Sequence, residues 1–162
     1  MRERIITQSI ESLRREGLKF SVDTIAQSLN ISKKTIYKYF NDKQSLAIAI
    51  YERYYTDAYA QIKELAEDNS QSARCRLLWQ YFDAKQMTSS EIFNKYNLNS
   101  ALRLFTEEQN EKLFKVIYTA LGGSSQRDEQ TLRIIVDGAF EKLCKEKLSA
   151  EEVINYLVKA LI

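Results

Sequence analysis

The chain has 162 residues, a length that suits one or two small domains, with 44% hydrophobic residues, 28% charged residues and a net charge of +2. It contains no histidine, no proline and only four glycines. Without imidazole there is no Ser–His–Asp or Cys–His nucleophile and no common zinc site, and so few turn residues argue against an all-β chain.

These absences favour a helical protein that acts by binding, with no enzymatic activity, no metal and no cofactor. The two cysteines, Cys75 and Cys144, lie far apart and read as buried or incidental thiols. The N-terminus carries charges of both signs, unlike a signal peptide, and no apolar run approaches the ~18 residues of a membrane span. The expectation is a soluble, cytoplasmic protein that does not associate with membranes. Residues 1–50 hold nine Lys/Arg against five Asp/Glu, net +4, and the remaining 112 residues are net −2. A basic end on a mildly acidic body fits a nucleic-acid-binding head joined to a partner-binding domain.

In chain order, residues 2–16 predict a helix with Ile6, Ile10 and Leu13 on one stripe and Gly17 as its stop. Ser21 caps a short second helix whose inward residues are Ile25, Ala26 and Leu29. Asn30 follows it, and asparagine is the residue after glycine that best tolerates a left-handed turn. Ser32 caps a third short helix with Ile36 and Phe40 inward. Asn41 opens a long fourth helix to about Glu67, striped by Leu46, Ile50, Tyr54, Ala58, Ile62 and Leu65. Asp68–Ser72 breaks the chain before a helix carrying Leu78, Trp79 and Phe82. Thr88 with Glu91, Thr106 with Gln109, and Ser149 with Glu152 have capping-box spacing. Asn94–Ser100 reads as irregular and Gly122–Ser125 as a loop. The last two helices, about 127–146 and 149–161, form a hairpin. The count is eight or nine helices with no strand.

The second and third helices make a helix-turn-helix pattern. At 100° per residue the inward direction lies between Ile36 and Phe40, so Lys38 points away from the core. Lys34 and Thr35 flank it, Tyr37 and Tyr39 sit at the edges, and Lys33 leads the helix. Lysines neutralise phosphate, tyrosine hydroxyls donate to it, and Thr35 and the Tyr37 ring can meet base edges in a major groove. Lys43, one turn into the next helix, can reach the flanking backbone.

Segment 21–46, SVDTIAQSLNISKKTIYKYFNDKQSL, resembles the DNA-binding domain of the tetracycline-repressor (TetR) family of transcriptional regulators. The likeness lies in Ile25-Ala26, Ile31-Ser32, Thr35-Ile36-Tyr37, Tyr39-Phe40, Lys43 and Leu46. It implies that Lys33, Lys34, Thr35, Tyr37, Lys38 and Tyr39 lie in or beside the groove of double-stranded DNA. It further implies that Lys43 holds phosphate and that Ser21 and Val22 approach the backbone. Asn30 and Lys34 stand where relatives often have glycine or a small residue, and Asp23 is not expected to touch DNA.

The resemblance also implies an all-α architecture: a three-helix helix-turn-helix domain over 1–46, then a helical bundle over 47–162 that dimerises and can enclose an effector. The apolar faces of the last two helices (Leu132, Ile135, Val136, Ala139 and Leu143; Val153, Ile154, Leu157, Val158 and Leu161) suit half of a four-helix homodimer interface. Tyr55, Tyr59, Trp79, Phe82, Tyr96, Phe105, Phe114 and Tyr118 are either plain core or the lining of a pocket for a small apolar or aromatic effector. The leading expectation is a repressor that binds a palindromic operator as a homodimer and is released by a small molecule. The alternative is an effector-independent architectural or partner-controlled DNA-binding protein whose body only dimerises.

Overall fold

The computed structural model describes residues 1–16, 21–95, 98–146 and 149–161, without the side chains of Glu16 and Leu161. Every regular element among them is a helix: α1 (Arg2–Glu16), α2 (Val22–Ser28), α3 (Lys33–Tyr37), α4 (Lys43–Leu65), α5 (Gln71–Met87), α6 (Ser90–Lys95), α7 (Ser100–Ala120), α8 (Gln126–Glu146) and α9 (Ala150–Leu161). The chain forms two compact units, 1–57 with 86–108, and 58–85 with 109–162. None of the described helices is long and apolar enough to cross a membrane.

In the first unit α1 buries Ile5, Ile6, Ile10 and Leu13. Ser9 is also buried on this face, and its hydroxyl donates to the Ile5 carbonyl at 2.7 Å, so its burial leaves no polar group unsatisfied. The α1 helix packs on α2, which packs on α3. Ile25 and Ile36 are completely buried, each contributing about 1.5–3 kcal/mol of apolar transfer. Phe40 lies under the Arg2 guanidinium at 5.3 Å, and Tyr54 under that of Arg14 at 5.2 Å. From α4, the buried Tyr51 hydroxyl donates to the Met87 carbonyl at 2.7 Å, while its ring stacks on Phe93 of α6. Leu46 and Ile50 complete this core.

The second unit packs Leu77, Leu78, Tyr81 and Phe82 of α5 with Leu113, Phe114 and Ile117 of α7, and with buried positions of α8 and α9. Tyr81 and Phe114 meet edge to face at 4.9 Å, and Phe82 and Phe140 at 5.6 Å. The Tyr81 hydroxyl donates to Asp137 at 2.8 Å, and Lys85 pairs with the same carboxylate at 3.2 Å. Arg133 reaches Asp137 at 3.7 Å and Glu111 at 3.3 Å. Burial and the Asp137 charge both push the Tyr81 phenol well above its ordinary pKa. Neither cysteine forms a disulfide among the described residues. Cys75 is half-buried and donates to Asn155, whereas Cys144 is exposed.

Several helix boundaries differ from the sequence expectation. Asp42, not Asn41, caps α4: its carboxylate accepts from the Ser45 amide at 2.7 Å and its own amide donates to the Ser45 hydroxyl. The Ser45 amide and hydroxyl hold the Asp42 carboxyl below its usual value. At the start of α6 the cap is Ser89, accepting from Ile92, one residue beyond Thr88. No helix begins at Thr106, because α7 runs unbroken from Ser100. There Thr106 is buried and its hydroxyl donates back to the Arg103 carbonyl, so the Thr106–Gln109 spacing is that of two mid-helix residues. The cap of α7 is Asn99, whose side chain accepts from Leu102 at 2.8 Å. Leu29 and Leu65, expected inward, are half-buried. Gly17 lies outside the described residues.

Candidate nucleic-acid interface

The geometry of α2 and α3 begins with two caps and a turn. Ser21 accepts from the Thr24 amide and Thr24 accepts from the Ser21 amide, both at 3.1 Å, a reciprocal box with threonine in the glutamate position. Asn30 has φ +52°. Its amide donates to Gln27 at 3.0 Å and the Ile31 amide to Ala26 at 2.9 Å, the paired bonds of a Schellman motif. The same motif ends α7, where Gly122 has φ +90° and the donors are Gly122 to Thr119 and Gly123 to Tyr118. Asparagine therefore does at the first turn what glycine does at the second. Ser32 then caps α3 by accepting from Thr35 at 3.1 Å.

With this turn locked, Ile36 anchors α3 to the core and its other positions face outward. Lys33, Lys34 and Lys38 are exposed, as are Tyr37 (37%) and Tyr39 (46%). Thr35 is half-buried, with its hydroxyl 3.0 Å from that of Ser32. Although α3 ends at Tyr37, helical hydrogen bonding continues from Phe40 to Ile36, so Lys38 and Tyr39 keep the same turn. Lys43, exposed at the start of α4, joins this set, as do the half-buried Ser21 and Val22.

One relation was not legible beforehand. Lys33 is paired with Asp23 at 2.7 Å across the two helices. Both side chains are more than half exposed, so the pair is worth no more than ~1 kcal/mol and an incoming phosphate can displace it. Lys34, Lys38 and Lys43 make no ion pair among the described residues. A second unforeseen feature is a cavity of about 180 Å³ whose wall includes Ser21, Val22, Lys33, Tyr37 and Lys43. No sequence pattern marks it, because it arises where α1, α4 and α6 close against the start of α2 and α3.

Of the residues considered for an effector pocket, none of the described ones borders this cavity. In the first unit Tyr55 is buried, donates to the Thr106 carbonyl at 3.1 Å and meets Phe105 edge to face at 6.1 Å. In the second, Phe82 and Phe114 are core, and Tyr59 donates to the Gln109 side chain at 3.3 Å. Trp79 is 41% exposed. Tyr118 is half-buried, its ring where a Cβ on Gly123 would stand. Tyr96 lies outside the described residues.

Of the residues considered for a dimer interface, Leu132, Val136, Leu143, Ile154 and Leu157 are buried within their own unit, as is Val158. Ala139 and Val153 are half-buried, and the Leu161 side chain lies outside the described residues. The outward apolar side chains of α8 and α9 are Ile134 (73% exposed), Ile135 (39%) and Tyr156 (70%). Ile135 belongs to the stripe read from the sequence, whereas Ile134 and Tyr156 lie beside it.

Comparison with known proteins agrees with the head. Residues 5–50 match the family model described as bacterial regulatory proteins, tetR family. The uncharacterized HTH-type transcriptional regulator Rv0472c of Mycobacterium tuberculosis (strain ATCC 25618 / H37Rv) is 38% identical over 53 residues, 33% of this chain and 23% of the relative. The uncharacterized HTH-type transcriptional regulator YvaF of Bacillus subtilis (strain 168) is 28% identical over 68 residues, 42% of this chain and 34% of the relative. The matches thus span a quarter to a third of these relatives' length. Over residues 5–50 the chain is thus similar to the bacterial regulatory proteins of the tetR family.

Proposed function

We propose that this chain is a DNA-binding transcriptional repressor that holds a palindromic operator as a homodimer and is released by a small molecule. The observation that carries the reading is the surface of α3: Ile36 fully buried beneath, and Lys34, Tyr37 and Lys38 presented outward by a turn fixed at Asn30. An exposed helix face of cations and phenols matches the demands of a phosphate-walled major groove. In functional terms residues 1–46 act as the reader and 47–162 as the dimerising body.

Dimerisation is supported by the outward Ile134, Ile135 and Tyr156, with the open Gly138 one turn from both isoleucines. Two-fold symmetry then sets two recognition helices one DNA turn apart, ~34 Å, and requires a palindromic site. The aromatic residues of the body pair mainly with one another and with carbonyls, which favours structural roles for them.

The test is selection of duplexes from a random pool, followed by anisotropy titration. Wild type should enrich an inverted repeat with half-sites ~10 base pairs apart. Tyr37→Ala should lose discrimination between selected and scrambled duplexes, whereas Lys43→Ala should weaken both alike. Enrichment of no sequence, with no salt-sensitive binding to any duplex, overturns the reading.

A further inference from the structure

The cavity in the first unit shares its wall with the face proposed to hold DNA. Its interior is apolar, built from Leu13 of α1, Leu46, Ala47 and Ile50 of α4 and Ile92 of α6. Four of these, Leu13, Leu46, Ile50 and Ile92, are 5% exposed or less. Its charged wall residues are Lys33, Lys43 and Asp23. Two lysines and one aspartate give the wall a net charge of +1 among the described residues, and Lys43 is the lysine that makes no ion pair.

Size and lining together select a ligand. An apolar cavity of ~150 Å³ is enough to take up benzene, so about 180 Å³ accommodates one ring with a small substituent. A single positive charge on an apolar chamber favours a ligand with one negative charge and an apolar body.

We propose that this cavity is a binding site for a monocyclic aromatic carboxylate, with the ring against Leu46, Ile50 and Ile92 and the carboxylate paired with Lys43. The ligand and DNA compete for the same residues, because Ser21, Val22, Tyr37 and Lys43 serve both. Release is then direct displacement at the head, with no relay from the body. The competition rests on the DNA-binding reading; the existence of the site does not. For exclusive binding the apparent Kd for DNA rises by the factor 1 + [ligand]/Kd, about 100-fold at a ligand concentration 100 times its own Kd.

The test uses the full chain with benzoate, and neutral benzamide as its control. Calorimetry without DNA should give one benzoate per chain, with benzamide at least tenfold weaker. Ala47→Leu, which puts three more carbons into the chamber, should weaken benzoate at least tenfold while leaving duplex binding at the wild-type level. Ile92→Phe fills the chamber from the opposite helix and should do the same, so the site remains testable if one variant misfolds. Anisotropy titrations should show duplex affinity falling with benzoate by the stated factor. Absence of saturable benzoate binding in a protein that binds duplex overturns the site and spares the proposed function. Equal affinity for benzamide overturns the role of Lys43. Binding of benzoate by a protein that binds no duplex supports the site and overturns the function.

Discussion

Replacing Asn30 tests the geometry that aims the recognition helix. Asn30 has φ +52°, and the two bonds that end α2, Asn30 to Gln27 and Ile31 to Ala26, exist only with this residue left-handed. An ordinary L-residue loses roughly 1–2 kcal/mol there because its Cβ crowds the following carbonyl. Asparagine recovers part of this and glycine all of it, less about 0.5–1 kcal/mol for the freedom glycine has when unfolded. Asn30→Gly should therefore lie near wild type, and Asn30→Ala about 1 kcal/mol below it. For a chain of this length that is a Tm difference of ~2–4 °C in a far-UV circular dichroism melt. Because the chain has two compact units, hydrogen exchange at the Ile31 and Ile36 amides gives the local reading, and both should exchange about fivefold faster in Asn30→Ala. Equal stability and equal exchange for alanine and glycine would refute a left-handed turn at this position.

Three further outcomes follow from the same geometry. Tyr81→Phe should destabilise the second unit by about 1–2 kcal/mol, since it removes a hydrogen bond to a carboxylate that is also bound by Lys85 and Arg133, read by urea unfolding at pH 7. The Tyr81 pKa is raised on folding, so its contribution is complete below the unfolded value near 10 and falls as pH rises beyond it. Unfolding free energy should accordingly drop above about pH 10 in wild type and drop less in Tyr81→Phe. Ile134→Asp and Tyr156→Asp should leave the melting temperature nearly unchanged, as both side chains are exposed, while shifting sedimentation velocity from dimer toward monomer; an unshifted dimer would put the interface elsewhere.

Much of the head is legible in the sequence alone, because its signals are local. The Ser21 and Ser32 caps, the left-handed Asn30 and the inward Ile25, Ile36 and Phe40 each follow from one residue and its spacing. Boundaries failed where two polar residues competed. Asp42 outdoes Asn41 because Ser45 stands three residues on to complete the cap. Thr106 had the spacing of a cap but sits in an unbroken apolar period, and tertiary burial decides between those roles. The Lys33–Asp23 pair and the head cavity depend on how separate helices meet, and no short pattern encodes that. Periodicity likewise finds the apolar faces of α8 and α9, but only packing divides them between the chain's own core and outward side chains such as Ile134 and Tyr156.

The most direct measurement of DNA recognition by α3 is the salt dependence of duplex affinity in wild type and in the double variant Lys34→Ala/Lys38→Ala. Both lysines are exposed and make no ion pair among the described residues, so their loss removes charge without disturbing the core. Plots of log K against log salt should be linear for both proteins, with the slope of the double variant shallower by about 1.8, some 0.9 for each phosphate that a lysine no longer neutralises. A wild type with no salt-dependent affinity for duplex DNA, or a double variant with an unchanged slope, would contradict the assignment of α3 as the recognition helix.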